Sequence, residues 1–207
     1  MTYTATIRLY DETELDLLRP DPSKIAIDHI AIALSREGRY ANQGRLVYCV
    51  AEHSYLVAAG CYSFARDIFD KDQEVFRLLQ LRALFHDSGE AYLRDLPGPL
   101  KKLPAMAFYR EMEDELRCAI FEHFGLPVRD EVADGYIELV DKAIREEEMA
   151  VLWRKKVELP VPLGVACVPA SEARRRFMEA YKTIQDPRRF GEYMPFRGFH
   201  GNGELIR

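Results

Sequence analysis

The sequence has few cysteines and no long apolar run, and each of these scarcities excludes a class of protein. Its four cysteines form no CxxC pair or other metal-type spacing, which favours reduced core thiols and a cytoplasmic protein. No window reaches about 18 uninterrupted apolar residues, the length typical of a membrane-spanning helix. The N-terminus also lacks the basic start and apolar core of a signal peptide. We therefore expect neither a membrane span nor export.

The chain also lacks an excess of positive charge. Its formal net charge of −5 argues against nucleic-acid binding, which normally needs a basic face that releases counterions. What it does contain is 48% hydrophobic and 30% charged residues, the composition of an ordinary globular protein. A length of 207 residues suits one sizeable core better than two, so we expect residues 1–207 to form one domain. Any phosphate site must then be a local cluster of cations.

Hydrophobic periodicity predicts an all-α fold, a single helical bundle with its helical core at about 23–185. Residues 4–10 alternate with a period near two and predict a short N-terminal strand. Three prolines predict a non-helical connector over 95–104, and the Gly- and Arg-rich tail from 191 to 207 is expected to be irregular. Helices are predicted at 23–36 with Ser23 as cap, 46–66, 73–93, 105–124, 129–154, and from a cap at Ser171 to about 185.

Two of these helices carry a polar residue on an otherwise apolar stripe. His53 follows Val50 by three residues and precedes Val57 by four, so its imidazole falls on the inward face. Asp141 follows Ile137 by four residues on the fifth helix, again on an inward stripe. A single histidine in that position is commonly a satisfied core residue. An inward carboxylate is harder to explain, because burying it unpaired costs several kcal/mol.

The stretch "HDSGE" adds three more polar side chains to the third predicted helix. Leu79, Ala83, His86 and Glu90 follow one another at steps of four, three and four, which places them on one helical stripe with Asp87 beside it. Three helices therefore each point a metal-competent side chain toward a common interior.

Two interpretations of these residues remain open. Two imidazoles and two carboxylates form a mixed nitrogen and oxygen set that suits one divalent ion, of the Mn, Co, Fe, Zn or Mg type. Around a six-coordinate ion, four protein ligands would leave two positions for water and substrate. Alternatively, the carboxylates form structural ion pairs, Asp87 with Arg82 and Asp141 with Lys142 or Arg145.

In order and spacing, His53, the pair His86-Asp87 and Asp141 resemble the H…HD…D pattern of HD-domain metal-dependent phosphohydrolases. The segment "GRYANQGRLVYCVAEHSYLVA" followed by "HDSGEAYLRDLPGPLK" is similar to the branch that contains bacterial 5'-deoxynucleotidases and phage dATP triphosphohydrolases. The similarity runs from about residue 28 to 150, and its "HDxxE…DLPxPxK" portion is more specific than an HD dipeptide. It implies an all-α fold, one catalytic divalent ion held by those four residues, and removal of phosphate or triphosphate from deoxynucleotides.

The resemblance also assigns roles to individual residues. It implies that Glu90 orients or deprotonates the nucleophilic water, and that Arg39 and Lys101 bind phosphate. Asp95 matches an aspartate near the leaving group or the sugar, although it also suits a turn residue at the start of the connector. Weaker phosphate-binding candidates are Arg45, Arg94 and Lys102, and the histidines not expected to bind metal are His29, His123 and His200.

The function that the sequence favours is a 5'-deoxynucleotidase that releases phosphate from a small deoxynucleoside monophosphate. The main alternative is a triphosphohydrolase acting on dATP or another dNTP, because the metal ligands would be the same. A nucleotide-binding or regulatory protein with little turnover is a third, and the presence of Glu90 argues against it. Hydrolysis of guanosine tetraphosphate fits the short chain less well. Relatives in that branch are often dimers, so a homodimer is also expected.

Overall fold

The computed structural model describes residues 4–65, 72–156 and 163–186. Within those ranges the chain is mainly helical, with a single two-stranded antiparallel sheet, so the all-α prediction is confirmed. The strands are β1 (Thr6–Arg8) and β2 (Glu14–Asp16). The helices are α1 (Ile27–Arg36), α2 (Val50–Ala65), α3 (Gln73–Leu84), α4 (Glu90–Leu93), α5 (Gly98–Lys101), α6 (Ala107–His123), α7 (Glu131–Trp153) and α8 (Ala170–Gln185).

Helix α2 lies at the centre of the core and is buried on nearly all sides. It packs against α3, α7 and α8, while α1 covers α8 and the short helix α4. A helix surrounded in this way can carry polar side chains only where they find partners, because burial removes their contacts with water. Its buried polar residues include Glu52 and His53, both fully inaccessible to solvent.

A glycine sets the distance between α2 and α7. A Cβ atom placed on Gly60 would lie 2.4 Å from Cγ1 of Val140, closer than real side-chain contacts allow. The two helices therefore pack at a distance that only glycine permits. Val140 is next to Asp141, so this close contact also brings Asp141 toward the helix that carries His53.

The third helix is shorter than predicted, and the difference shapes the site. The prediction of a continuous helix over 73–93 was wrong, because α3 ends at Leu84 and a tight turn separates it from α4. The carbonyl of Ala83 lies 2.7 Å from Nδ1 of His86, and the carbonyl of Phe85 accepts the hydroxyl of Ser88 at 2.6 Å. Side chains thus take carbonyls that a continuing helix would use, and the helix stops.

The remaining differences are local. The short strand within 4–10 is confirmed as β1, but its partner β2 was not predicted; Ile7 pairs with Leu15. The first helix begins at Ile27, after a separate 3-10 turn at Pro22–Lys24 that Asp21 caps.

Two further differences from the predicted structure involve proline. The connector expected to be non-helical contains α5, whose first turn accepts a proline because its first N–H groups need no helical partner. Helix α8 follows Pro169 and has no side-chain cap, so the predicted cap at Ser171 was wrong. The tail over 191–207 lies outside the described residues. None of the described helices is both long and apolar enough to cross a lipid bilayer.

Candidate metal centre

The imidazoles of His53 and His86 meet between α2 and the turn that follows α3. Their Nε2 atoms are 3.1 Å apart. Nδ1 of His53 lies 2.7 Å from Oε1 of Glu148, and Nδ1 of His86 lies 2.7 Å from the carbonyl oxygen of Ala83. An acceptor beside each Nδ1 holds the proton of a neutral ring there, which leaves both Nε2 lone pairs directed at one point. Two lone pairs this close need a cation between them, either a proton or a metal ion.

Two carboxylates complete the same cluster. Oδ2 of Asp87 lies 3.5 Å from Nε2 of His53 and 3.3 Å from Nε2 of His86, and Oδ1 of Asp141 lies 3.2 Å from Nε2 of His53. Neighbouring ligands bound at right angles about 2.1 Å from an ion lie about 3 Å apart. Candidate ligand atoms of His53, His86 and Asp141 all fall within 4.8 Å of one another. The imidazoles of His53 and His86 and the carboxylate of Asp141 therefore come together at distances that suit one ion, and Asp87 lies beside both imidazoles.

The electrostatics of the cluster also favour a cation. Burial would lower the pKa of His86, but the carboxylates of Asp87 and Asp141 raise it to about 9. Burial likewise opposes ionisation of Asp87, yet His86, His53 and Arg39 hold its pKa well below the ordinary value. These two shifts favour a proton on His86 in the absence of a metal. A divalent ion would displace that proton, as metal binding to histidine generally does.

The alternative ion pairs are present only in part. Arg82 pairs with Asp134 on α7 rather than with Asp87, whose cationic partner is Arg39 at 3.2 Å. Asp141 does contact Arg145, from its Oδ2 atom at 2.9 Å, while its Oδ1 atom faces His53. An aspartate can use one oxygen for each role, so this ion pair does not compete with metal binding.

Glu148 is a central residue that was not identified from the sequence. Its side chain is fully buried, and it accepts hydrogen bonds from His53 Nδ1, from the hydroxyl of Tyr40 and, at 3.4 Å, from Arg39. Burial alone would raise its pKa, but His53 and Arg39 hold that pKa at about 2. It follows Asp141 by seven residues, which places it on the same inward stripe of α7. That spacing was a signal that could have identified it.

Glu90 lies beside the cluster in a buried and unusual environment. Its side chain is almost inaccessible, and Oε1 accepts a hydrogen bond from Nζ of Lys101 at 2.9 Å. The same ammonium group donates to Glu113 on α6 at 2.6 Å. Burial, together with the negative charges of Asp87 and Asp95, raises the pKa of Glu90 to about 9. A carboxyl that titrates above neutrality beside a candidate metal site suits proton transfer.

Arg39 reaches the cluster from the loop between α1 and α2. Its backbone N–H donates to the carbonyl of Tyr48 at 2.9 Å, and its guanidinium contacts both Asp87 and Glu148. The next three residues, Tyr40 to Asn42, all have positive φ, so the chain turns sharply after the arginine. The side chain is only 9% exposed, which shows that it is held in place rather than merely solvated.

Asp95 stabilises this turn. Its carboxylate accepts the backbone N–H of Tyr40 at 3.2 Å, and its own N–H donates to Glu37 at 3.2 Å. The carboxylate thus contacts the turn after Arg39 and not the connector over 95–104, where a role as turn residue was expected. Asp95 also lines the cavity described next, so a contact with substrate is compatible with its position.

A cavity of about 590 Å³ opens onto the cluster, a volume within the usual range for small-molecule sites. Its lining combines charged and largely uncharged residues. The charged ones are Asp87, Glu90, Asp95, Asp141, Arg39, Lys101 and Arg145, and the others are Tyr40, Ala41, Gln43, Leu96, Pro97, Gly98 and Pro99.

The weaker candidates are not brought to this cavity. Arg45, Arg94 and Lys102 do not line it, and Arg94 is mostly exposed beside Glu37. Of the histidines, His29 contacts Asp11 at 3.0 Å and His123 packs against Phe124, so neither joins the cluster. His200 lies outside the described residues.

The sequence of residues 35–153 matches the model of an HD domain family, and this match covers more than half of the chain. The chain belongs to the HD-domain family. Proteins of this family are generally hydrolases and bind divalent metal ions. The matched range of the HD domain contains all four candidate ligands as well as Arg39, Glu90 and Glu148.

Two curated proteins are similar in sequence to this chain. One, "Uncharacterized protein YfdR" of Escherichia coli (strain K12), is 28% identical over 171 residues, covering 80% of this chain and 87% of the relative. The other, "Uncharacterized protein RCAP_rcc00048" of Rhodobacter capsulatus, is 37% identical over 122 residues, covering 58% of each chain. Neither name states a substrate.

Proposed function

We propose that this HD domain is a metal-dependent phosphohydrolase of small nucleotides, and that its substrate is a deoxynucleoside 5'-monophosphate. The observation that carries the proposal is the convergence of two imidazoles and two carboxylates beside a buried glutamate, with Asp87, Glu90 and Asp141 all lining one cavity. A divalent ion in that position would lower the pKa of a water molecule and neutralise phosphoryl oxygens.

The residues of this chain supply the other requirements of phosphate ester hydrolysis. His53, His86, Asp87 and Asp141 would hold the ion. Glu90, with its raised pKa, would hold or move the proton of the attacking water, since its buried Oε2 atom has no hydrogen-bond partner among the described residues.

Two cations are available to bind the phosphate. Arg39 offers a planar guanidinium and Lys101 a compact ammonium group, and both line the cavity. Apolar residues of the cavity lining, among them Leu96, Pro97 and Pro99, are suited to pack against the base and sugar of a nucleotide. That the sugar is a deoxyribose rests on the sequence resemblance described above.

The charge of the cavity supports a monophosphate over a triphosphate. Its described lining contains three cationic residues, Arg39, Lys101 and Arg145, and four carboxylic residues. With all of them ionised the lining carries one net negative charge, and a divalent ion would bring the site to one net positive charge. A phosphate monoester carries about 1.5–2 negative charges at pH 7, which comes closer to balancing that charge than a triphosphate would.

A triphosphate would bring more negative charge than these residues can neutralise. The cations are already shared with other carboxylates, Arg39 with Glu148 and Lys101 with Glu113. Arg145, the third cation of the described lining, is paired with Asp141, so beyond Arg39 and Lys101 this lining offers no unpaired cation for additional phosphate groups.

A substrate panel tests this proposal. The purified protein would be incubated with mono- and triphosphates of ribo- and deoxynucleosides in the presence of Mn²⁺, Co²⁺, Mg²⁺ or Zn²⁺, with phosphate and triphosphate products measured separately. We expect release of inorganic phosphate from deoxynucleoside monophosphates, and its loss when a chelator removes the metal. Release of triphosphate from a dNTP would overturn the substrate assignment. Metal and nucleotide binding without turnover would instead indicate a binding protein.

A further inference from the structure

Six consecutive backbone N–H groups, those of residues 163–168, are all bound by two buried carboxylates. We call these residues the clamp segment. Glu147 on α7 accepts the first three N–H groups, including those of residues 164 and 165 at 3.1 Å each. Glu52 on α2 accepts the next three, at 2.8, 2.9 and 2.8 Å. The side chains of Glu52 and Glu147 are almost completely inaccessible to solvent.

The backbone conformation of the clamp segment explains this binding. Gly164 has a φ of +99° and Cys167 a φ of +55°, and each is the middle residue of its set of three donors. A positive φ next to ordinary conformations makes successive N–H groups point to one side, forming a concave nest for an anion. The segment is therefore two such nests in tandem, each filled by a glutamate from a different helix.

Each clamped glutamate immediately precedes a residue of the candidate metal centre. Glu52 is followed by His53, and Glu147 by Glu148. Adjacent residues on an α-helix point in directions about 100° apart, so anchoring one residue fixes the rotation of the helix and with it the direction of the next Cα–Cβ bond. One segment thus holds both helices at the point where His53 Nδ1 and Glu148 Oε1 meet at 2.7 Å.

We propose that the clamp segment sets the orientation of His53 and Glu148, and that Glu52 and Glu147 are positioning residues for the metal centre. The proposal rests on the proposed function only in requiring that His53 be a metal ligand. It predicts that the two glutamates affect metal affinity although neither contacts the cluster.

The test uses Glu52→Gln and Glu147→Gln in the full chain. Glutamine keeps the size of the side chain, but its NH₂ group would face a backbone N–H, so the nest loses an acceptor. The dissociation constant for Mn²⁺ would be measured by titration calorimetry well below the unfolding temperature. We expect it to rise about 10- to 100-fold in each variant, the range found for residues that orient metal ligands.

Two controls separate positioning from general stability. Leu15→Ala removes a fully buried side chain from the small sheet and should lower stability without changing the Mn²⁺ affinity. Cys167→Gly keeps the backbone N–H and suits a positive φ, so it should also bind Mn²⁺ as the wild type does. The proposal would be overturned if the two glutamine variants lost stability but kept the wild-type dissociation constant for Mn²⁺. It would also be overturned if Cys167→Gly bound Mn²⁺ as weakly as the glutamine variants.

A second measurement needs neither metal nor catalysis. The Nδ1–H proton of His53, hydrogen-bonded to Glu148, should give a downfield NMR signal in the metal-free protein, and Glu52→Gln should shift or broaden it. An unchanged signal would contradict the proposal even if the wild type bound no metal. Wild-type protein that binds Mn²⁺ without hydrolysing nucleotides would refute the proposed function and leave this inference to be decided by the same variants.

Discussion

Glu148→Gln should weaken metal binding although Glu148 is not proposed as a ligand. The carboxylate accepts the Nδ1–H of His53 at 2.7 Å, which fixes the ring so that Nε2 faces the ion. It also holds Arg39 and the hydroxyl of Tyr40. Glutamine keeps the shape of the side chain but removes its negative charge, and its amide could present a donor to the imidazole.

The expected size of this effect follows from the role of Glu148. Removing the partner that orients a metal-bound histidine typically lowers affinity 10- to 100-fold, or about 1.4–2.7 kcal/mol. Titration calorimetry with Mn²⁺ would measure the dissociation constant. Glu146→Gln is a matched control, because Glu146 is exposed on the same helix. If Glu148→Gln bound Mn²⁺ as tightly as the control, His53 would not depend on Glu148 for its orientation and the reasoning would fail.

Three further results are expected. Asp141→Ala should abolish stoichiometric metal binding, measured by elemental analysis, because a four-ligand site has little redundancy; full metal content would remove Asp141 from the ligand set. Arg39→Ala and Lys101→Ala should each weaken nucleotide binding by roughly 1.5–3 kcal/mol with metal content unchanged, and wild-type kinetics in both would mean that phosphate binds elsewhere. In the metal-free protein, the pKa of Glu90 is about 9 against an ordinary 4.5, so the folded state keeps a proton that the unfolded state loses. The free energy of unfolding should therefore fall as the pH rises from 4.5 toward 9. Glu90→Gln has no such proton, so its free energy of unfolding in urea should rise relative to that of the wild type between pH 5 and 9, by on the order of 1–3 kcal/mol. A difference between the two proteins that stays constant over this range would contradict the raised pKa.

Helical periodicity predicted the parts of the site that lie on regular helices. His53 and Asp141 occupy inward stripes of α2 and α7, and the structure brings them together because those helices pack closely at Gly60. The break after Leu84 was not predictable from periodicity, since the hydrogen bonds made by His86 and Ser88 interrupt a pattern that otherwise continues. Spacing alone therefore placed His86 and Glu90 on one continuous helix, whereas His86 lies in the turn and Glu90 begins the next helix.

Other features depend on contacts between distant parts of the chain. Lys101 and Glu113 meet Glu90 from a connector and from α6, and no local pattern signals that contact. The strand β2 is only three residues long, too short to show alternation. The nests of the clamp segment arise from positive φ values at a glycine and a cysteine, and cysteine rarely adopts them without compensating contacts.

The turnover number of Glu90→Gln tests the central claim most directly, when measured together with metal stoichiometry and nucleotide affinity in the same preparation. If Glu90 handles the proton of the attacking water, metal and nucleotide should still bind while kcat falls by about 10²–10⁴. Undiminished turnover would contradict a catalytic role, and loss of the metal would show that Glu90 is a ligand instead.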